Sequence, residues 1–189
     1  MNETSKPAGG RATEAGMAFQ ATVATWFAAH MLADVPIGTA FGLPADSRIG
    51  ELQCETGDAL DDVVARLADG GTIYVQCKTR PGLTAGPDSL LAGALAQLVA
   101  LYYRGGRPAA GNATAVALLA VSEAAPRSLD TLETACRMFD RGGSWDAVMA
   151  QLPDDRRAAL ALFETHVGAA WSNRTKMTLA SDDLVAMAR

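Results

Sequence analysis

Aromatic residues, cysteine and histidine are all scarce in this chain of 189 residues. Phe, Trp and Tyr make up 6% of the sequence, and there are three cysteines and two histidines. Because the cysteines are odd in number and form no Cys-x-x-Cys pair, they argue against a disulfide framework and against a structural zinc site. The length suits one domain with a buried core, and the low aromatic content favours a core of closely packed small residues.

Two further absences narrow the class of protein. No apolar run approaches the roughly 20 residues that a membrane-spanning helix needs, and the first residues are polar and glycine-rich, unlike a signal peptide. We therefore expect a cytoplasmic protein with no membrane partner. Lys and Arg number 16 against 21 Asp and Glu, which argues against broad non-specific coating of nucleic acid. This balance still allows an enzyme that contacts DNA through a local basic strip around a metal.

The hydrophobic pattern predicts an α/β fold whose core elements follow the order α-β-β-β-α-β. A helix is expected from Thr13, as its N-cap, to near Asp34, after a flexible tail. Three strands follow, then a strongly apolar helix and a fully apolar strand at 114–122. We expect residues 13–125 to form this core, as a mixed sheet flanked by helices, and residues 126–189 to form a helical extension. Within the extension, helices are predicted at 128–141, 144–152, 153–171 and 181–189.

The clearest local signal is a β-hairpin around the turn at 69–71. Two runs with β-branched residues, DDVVARL and TIYVQCKTR, flank the turn at Asp-Gly-Gly. Antiparallel pairing across this turn would bring Asp61 and Asp62, at the start of the first strand, beside Gln76 and Lys78 on the second. Gln76 and Lys78 are two residues apart and therefore share a face of the sheet.

The acidic residues around this hairpin leave two alternatives open. Asp61 and Asp62 cannot both face the site, because successive strand residues point to opposite sides. Alternation favours Asp62, and Asp61 stays the alternative if the chain bends there. The preceding strand, ELQCE, ends at Glu55, which is either a further ligand or an exposed strand-end residue.

Carboxylates, an amide oxygen and a lysine are thus expected to converge at one strand end. Hard oxygen ligands of this kind suit Mg²⁺ or Mn²⁺. Such a metal lowers the pKa of bound water and neutralises charge on phosphate oxygens, and a neighbouring lysine stabilises the charge of the transition state. The cluster is suited to metal-assisted phosphodiester hydrolysis.

An aspartate, a hairpin and Gln-x-Lys together resemble the PD-(D/E)xK restriction-endonuclease-like superfamily in its Q-x-K variant. More narrowly, three segments resemble the N-terminal double-stranded DNA nuclease domain of bacterial antiphage effectors, which is similar to Mrr-type restriction nucleases. These segments are GMAFQ at 16–20, LDDVV at 60–64 and YVQCK at 74–78. The resemblance implies a restriction-endonuclease-like core and a Mg²⁺-dependent endonuclease of double-stranded DNA in bacterial defence. In such proteins an NTPase or sensor domain often follows the nuclease domain, so a C-terminal partner of that kind is also implied.

The resemblance implies roles for individual residues. Asp62, or its neighbour Asp61, would bind the metal. Gln76 would replace the usual second acid of the motif, and Lys78 would be the catalytic lysine. Two departures from the family pattern point to a weaker or single-metal site: no proline precedes the aspartate, and Gln76 brings no charge.

Glu55 and Gln20 would be auxiliary residues of the same site. With Gln76 uncharged, metal affinity would depend more on Glu55 and the aspartate pair. Gln20 also suits a simpler role, a hydrogen bond that packs the first helix. Two other hypotheses stay open: a catalytically inactive nuclease fold that binds nucleic acid or a protein, and a regulatory α/β domain whose strand charges are incidental. The residues also leave open whether the chain is a monomer or a homo-oligomer.

Overall fold

A four-stranded mixed sheet with helices packed on its two faces forms the fold. The computed structural model describes residues 8–57, 60, 62–79, 81–105, 115–121 and 127–188. The strands are β1 (Ile49–Gln53), β2 (Val63–Leu67), β3 (Thr72–Lys78) and β4 (Ala115–Val121). The α-helices are α1 (Ala8–Leu32), α2 (Leu90–Gly105), α3 (Arg127–Cys136), α4 (Trp145–Gln151), α5 (Asp154–Thr175) and α6 (Ser181–Ala188), with short 3₁₀ turns at Gly38–Phe41 and Phe139–Arg141. The predicted α/β class and the order α-β-β-β-α-β are confirmed.

The strands lie in the order β1-β2-β3-β4, with β1, β2 and β3 antiparallel and β4 parallel to β3. The predicted hairpin joins β2 to β3. Its turn is closed by a hydrogen bond from the backbone N–H of Leu67 to the carbonyl of Gly71, 2.7 Å long. Gly70 has φ +94°, which is the conformation that a glycine supplies in such turns. The side chain of Asp69 accepts from the Ser47 hydroxyl at 2.6 Å and fastens the turn to the loop before β1.

Several predicted boundaries were wrong. Helix α3 ends at Cys136 and α5 continues to Thr175, and two further cases lie in the N-terminal half. Helix α1 begins at Ala8, so Thr13 lies inside the helix and is not its N-cap. Alanine, arginine and glutamate in this polar stretch are good helix formers, which outweighs the resemblance to a tail. Strand β1 ends at Gln53, and Glu55 follows it with φ +52°. The last pair in this ladder is Gln53 with Val64, so the chain turns away where β2 begins.

The sheet is covered by two separate clusters of buried side chains. On one face, α1 places Phe27 against Ile73 and Val75 of β3. On the other face, α2 joins the C-terminal helices around Leu160. Alternate residues of β4 reach both clusters, Ala120 the first, and Leu119 and Val121 the second. The helical extension therefore shares its core with α2.

Among the described helices, none combines the length and the apolar character that crossing a membrane requires.

Candidate active site

Asp62 and Gln76 face each other at the end of the hairpin. Val63 pairs with Val75 in the antiparallel ladder, so Asp62, one residue earlier, is aligned with Gln76. The Gln76 amide nitrogen donates to Oδ2 of Asp62 at 2.5 Å, and the backbone N–H of Cys77 donates to the same oxygen at 2.7 Å. Two donors thus hold the carboxylate against β3.

Lys78 brings a positive charge to this carboxylate. Its Nζ atom lies 4.0 Å from Oδ2 of Asp62, at the outer limit of an ion pair. The side chains are 23% exposed for Lys78 and 22% for Asp62, so the pair is sheltered and still reached by solvent. Because Lys78 shares a face of β3 with Gln76, carboxylate, amide and ammonium meet at one strand end.

Gln76 is the most deeply buried member of the group, with 2% of its surface exposed. Within the described part of the chain, its Oε1 atom is buried and has no hydrogen-bond partner. Leaving such an acceptor unsatisfied costs about 1–3 kcal/mol. Since Nε2 of Gln76 is committed to Asp62, Oε1 is the atom that remains for a ligand.

A magnesium or manganese ion would find two oxygen donors in this group of residues. Mg²⁺ in proteins is typically bound through one or two carboxylates, keeps several waters and takes further oxygens from a substrate phosphate. The Asp62 carboxylate and Oε1 of Gln76 are hard oxygen donors of that kind. They would form a site with a single carboxylate, whose affinity depends on oxygens from water and substrate.

Gln20 approaches the site from α1. Its amide nitrogen donates to the backbone carbonyl of Asp62, 2.9 Å away. This bond joins the first helix to the residue that carries the carboxylate. In the structure, Gln20 fixes the backbone of Asp62 and makes no hydrogen bond to its carboxylate.

The two other predicted acids are Glu55 and Asp61. Glu55 lies two residues beyond the end of β1, with an exposed side chain. Extending the β1–β2 register would place it opposite Asp62, but its φ of +52° takes it out of the ladder. Asp61 lies outside the described residues. Among the residues that are described, no three His, Cys, Asp or Glu side chains gather closely enough to hold a metal ion.

Cys77 lies between Gln76 and Lys78 and points to the opposite face of β3. Its burial, and next the negative charge of Asp62, raise the pKa of the thiol to about 12. Cys77 is therefore a half-buried residue that packs against the cluster under α1, as its alternation with Gln76 predicts. The raised pKa disfavours the nucleophilic thiolate at neutral pH.

The backbone amide of Cys77 is the contact that sequence reasoning missed. This N–H donates to Asp62 at 2.7 Å, a contact longer than that of the Gln76 amide and much shorter than the approach of Lys78. No residue type marks a backbone donor, because every residue except proline carries one. The only signal for it is the strand register, which places the start of β2 beside the end of β3.

Comparisons with models of protein families, with curated protein sequences and with solved structures return no match for this chain.

Proposed function

We propose that the chain is a metal-dependent DNA endonuclease of the PD-(D/E)xK type, acting in bacterial antiphage defence. The observation that supports this most is the convergence of Asp62, Gln76 and Lys78 at one strand end. These are the residue types and the spacing of the Q-x-K variant. The four-stranded mixed sheet with α1 before it and α2 inserted before β4 is compatible with a restriction-endonuclease-like core.

Each residue has a role that follows from its contacts. Asp62 and Oε1 of Gln76 would hold Mg²⁺ or Mn²⁺, which when bound would supply an activated water and neutralise phosphate charge. The ammonium of Lys78 would donate to the reacting phosphate or hold the attacking water, so it acts where negative charge develops. Gln20 and the Cys77 amide would keep Asp62 in place, which preserves this geometry without movement during the reaction.

A second candidate is a catalytically inactive nuclease-fold module that binds nucleic acid or a protein partner. It is favoured by the position of Glu55 outside the strand and by the single carboxylate that the described residues place at the cluster. An active enzyme of this type needs at least two oxygen ligands within reach of one cation. Asp62 and Gln76 provide two, of which only one is charged.

Plasmid cleavage in the presence of Mg²⁺ or Mn²⁺ tests the two candidates. Lys78→Ala should lower the cleavage rate by about 10²–10³ or more, because one preorganised charged donor is lost at the reacting centre. DNA binding should change little, since it draws on several phosphate contacts spread over the surface. Circular dichroism should show the same fold as in the wild type.

Lys176→Ala is the matched control, because it removes the same charge at the C-terminal end of α5. It should cleave at the wild-type rate. Asp62→Asn should fail by losing metal, and higher Mg²⁺ or Mn²⁺ should partly restore its activity. A wild-type protein that binds DNA and leaves it uncut with either metal would favour the binding module. Equal cleavage by wild type and Lys78→Ala would assign the activity to a contaminating nuclease.

A further inference from the structure

One side of α1 is apolar, exposed and free of charged residues over most of its length. Between Glu14 and Asp34 the sequence contains no Asp, Glu, Lys or Arg. The inner side of the helix packs on the sheet, where Phe27 is buried. The outer side, here called the α1 face, consists of exposed residues at helical spacing: Met17, Ala18, Ala21, Thr22, Thr25, Trp26, Ala29, Leu32 and Ala33.

The two hydroxyl groups of the α1 face are already bonded within the helix. The hydroxyl of Thr22 donates to the carbonyl of Ala18 at 3.0 Å, and that of Thr25 donates to Ala21 at 2.8 Å. At the two ends of the face, Met17 is 62% exposed and Leu32 is 83% exposed. Contiguous exposed apolar surfaces larger than about a few hundred Å² mark interaction sites on soluble proteins.

We propose that the α1 face is a dimer interface, on which a second copy of the chain packs its own α1 antiparallel across a two-fold axis at Thr25. With the axis at Thr25, the two large residues at the ends of the face meet alanines, and Ala29 meets Ala21 nearer the axis. Leu32 lies opposite Ala18 of the other copy, and Met17 lies opposite Ala33. A surface that complements itself in this way is what a two-fold homodimer requires.

The area of the α1 face suits a weak dimer. From Ala15 to its end at Leu32 the helix is about 27 Å long, and a helix with its side chains is about 10–12 Å across. One side of such a cylinder has an area of about 500 Å². Two copies would then bury about 1,000 Å², which is below the area of stable interfaces, about 1,200–2,000 Å², and within the range of weak ones. We therefore expect a dimer that dissociates on dilution.

A second copy suits this face better than a lipid surface does. Helices that lie on membranes carry Lys and Arg beside their apolar face, which bind anionic headgroups. From Ala15 to Leu32 the helix carries neither residue, and its inner side is occupied by the sheet. Antiparallel packing of two copies also aligns the helix dipoles favourably.

Sedimentation velocity over a range of concentrations tests the dimer. Wild-type protein should shift from monomer to dimer as its concentration rises. Thr25→Arg places two like charges together on the axis and should raise the dissociation constant at least tenfold. Thr165→Arg on α5 is the matched control, because Thr165 is also exposed and its hydroxyl makes the same bond, to Ala161 at 2.7 Å. It should leave the dimer intact.

Disulfide crosslinking tests the position of the axis. Thr25→Cys, in a Cys54→Ser background that removes an exposed native thiol, should crosslink to its own counterpart on oxidation. Thr165→Cys in the same background should stay monomeric on a non-reducing gel. The proposal is overturned if the wild type is monomeric at every concentration, or if Thr25→Arg leaves the dimer unchanged. Wild-type protein that floats with anionic phospholipid vesicles and forms no dimer would assign the face to membranes, which also overturns it.

Discussion

At the scale of single residues, Asp62 combines a structural role with its proposed catalytic one. Its Oδ2 atom accepts from the Gln76 side chain and the Cys77 backbone, so it ties the start of β2 to the end of β3. The same carboxylate is the charge that Lys78 approaches. A loss of activity in an Asp62 variant is therefore informative only where its stability is measured as well.

With Gln76→Glu, metal binding is expected to be measurable from the thermal midpoint of unfolding, without an activity assay. The substitution places a second carboxylate, almost fully buried, against Asp62. Two adjacent carboxylates repel each other, and burying an unpaired charge is unfavourable, so the thermal midpoint should fall in a chelator. Adding Mg²⁺ or Mn²⁺ should raise the midpoint of Gln76→Glu more than that of the wild type, because a ligand that binds only the folded state stabilises it.

Gln76→Leu is the control for this measurement, since it removes the amide oxygen and adds no charge. Its midpoint should not respond to either metal. If Gln76→Glu also failed to respond, the assignment of Asp62 and Gln76 as ligands would be wrong.

The raised pKa of the Cys77 thiol predicts that the protein loses stability at alkaline pH. Burial, followed by the charge of Asp62, raises its pKa from 9.0 to about 12 in the folded protein. Above pH 9 the unfolded chain releases this proton while the folded chain retains it. The corresponding stability is fully present below pH 9 and is lost as the pH rises toward 12.

Urea unfolding at about pH 7.5 and about pH 10 measures this effect. Cys77→Ala should show a smaller decrease in the free energy of unfolding between the two pH values than the wild type shows. The other groups that titrate in this range are common to both proteins and cancel in the comparison. An equal decrease in both would rule out Cys77 as the source.

At the scale of elements, the hairpin could be predicted from sequence because its signals are local. Asp-Gly-Gly specifies the turn, and the alternation of β3 places Gln76 and Lys78 on one face. The start of α1 was predicted wrongly although its signal, the helix propensity of a polar stretch, is also local. The end of β1 could not be predicted in this way, because it depends on where the partner strand begins, which is a non-local property.

The candidate site shows the same division between local and non-local information. Asp62, Gln76 and Lys78 follow from strand alternation together with the hairpin. The hydrogen bond from Gln20 joins residues 42 positions apart, so its partner, a backbone carbonyl, could not be read from the sequence. Glu55 lies beyond the end of β1, and the sequence does not show that the chain leaves the ladder after Gln53.

Two glycines should respond in opposite directions to the same substitution. Gly70→Ala in the hairpin turn should lower the free energy of unfolding by about 1–2 kcal/mol, because an L residue is strained at a positive φ. Gly168→Ala, inside α5, should raise it by about 0.5–1 kcal/mol, because alanine is the better helix former. An added Cβ has no neighbour within 4 Å at either position, so sterics do not explain the difference.

Urea denaturation of both variants measures these two changes. Equal effects of the same sign would mean that the backbone conformation of the turn is not what Gly70 contributes.

At the scale of the whole molecule, two buried clusters share one sheet. The cluster under α1 and the cluster formed by α2 with the C-terminal helices both include residues of β4. The sequence predicts a core at residues 13–125 and a helical extension at residues 126–189. The described part of that extension covers Leu91, Leu95 and Val99 of α2. We therefore expect the core and the helices that cover it to unfold together.

Leu160→Ala tests this cooperativity from the side of the extension. Leu160 is fully buried in α5, so removing its side chain should lower the free energy of unfolding by about 2–5 kcal/mol. If the two clusters form one cooperative unit, hydrogen exchange of the amides in β2, which β3 separates from β4, should accelerate as much as exchange in α5.

Glu164→Ala, at an exposed position of the same helix, is the control. It should change neither the stability nor the exchange rates, since such surface substitutions alter stability by about 0.5 kcal/mol or less. Faster exchange in α5 with wild-type exchange in β2 would show instead that the C-terminal helices open independently, and the proposed nuclease core would then be separable from the helices that cover α2.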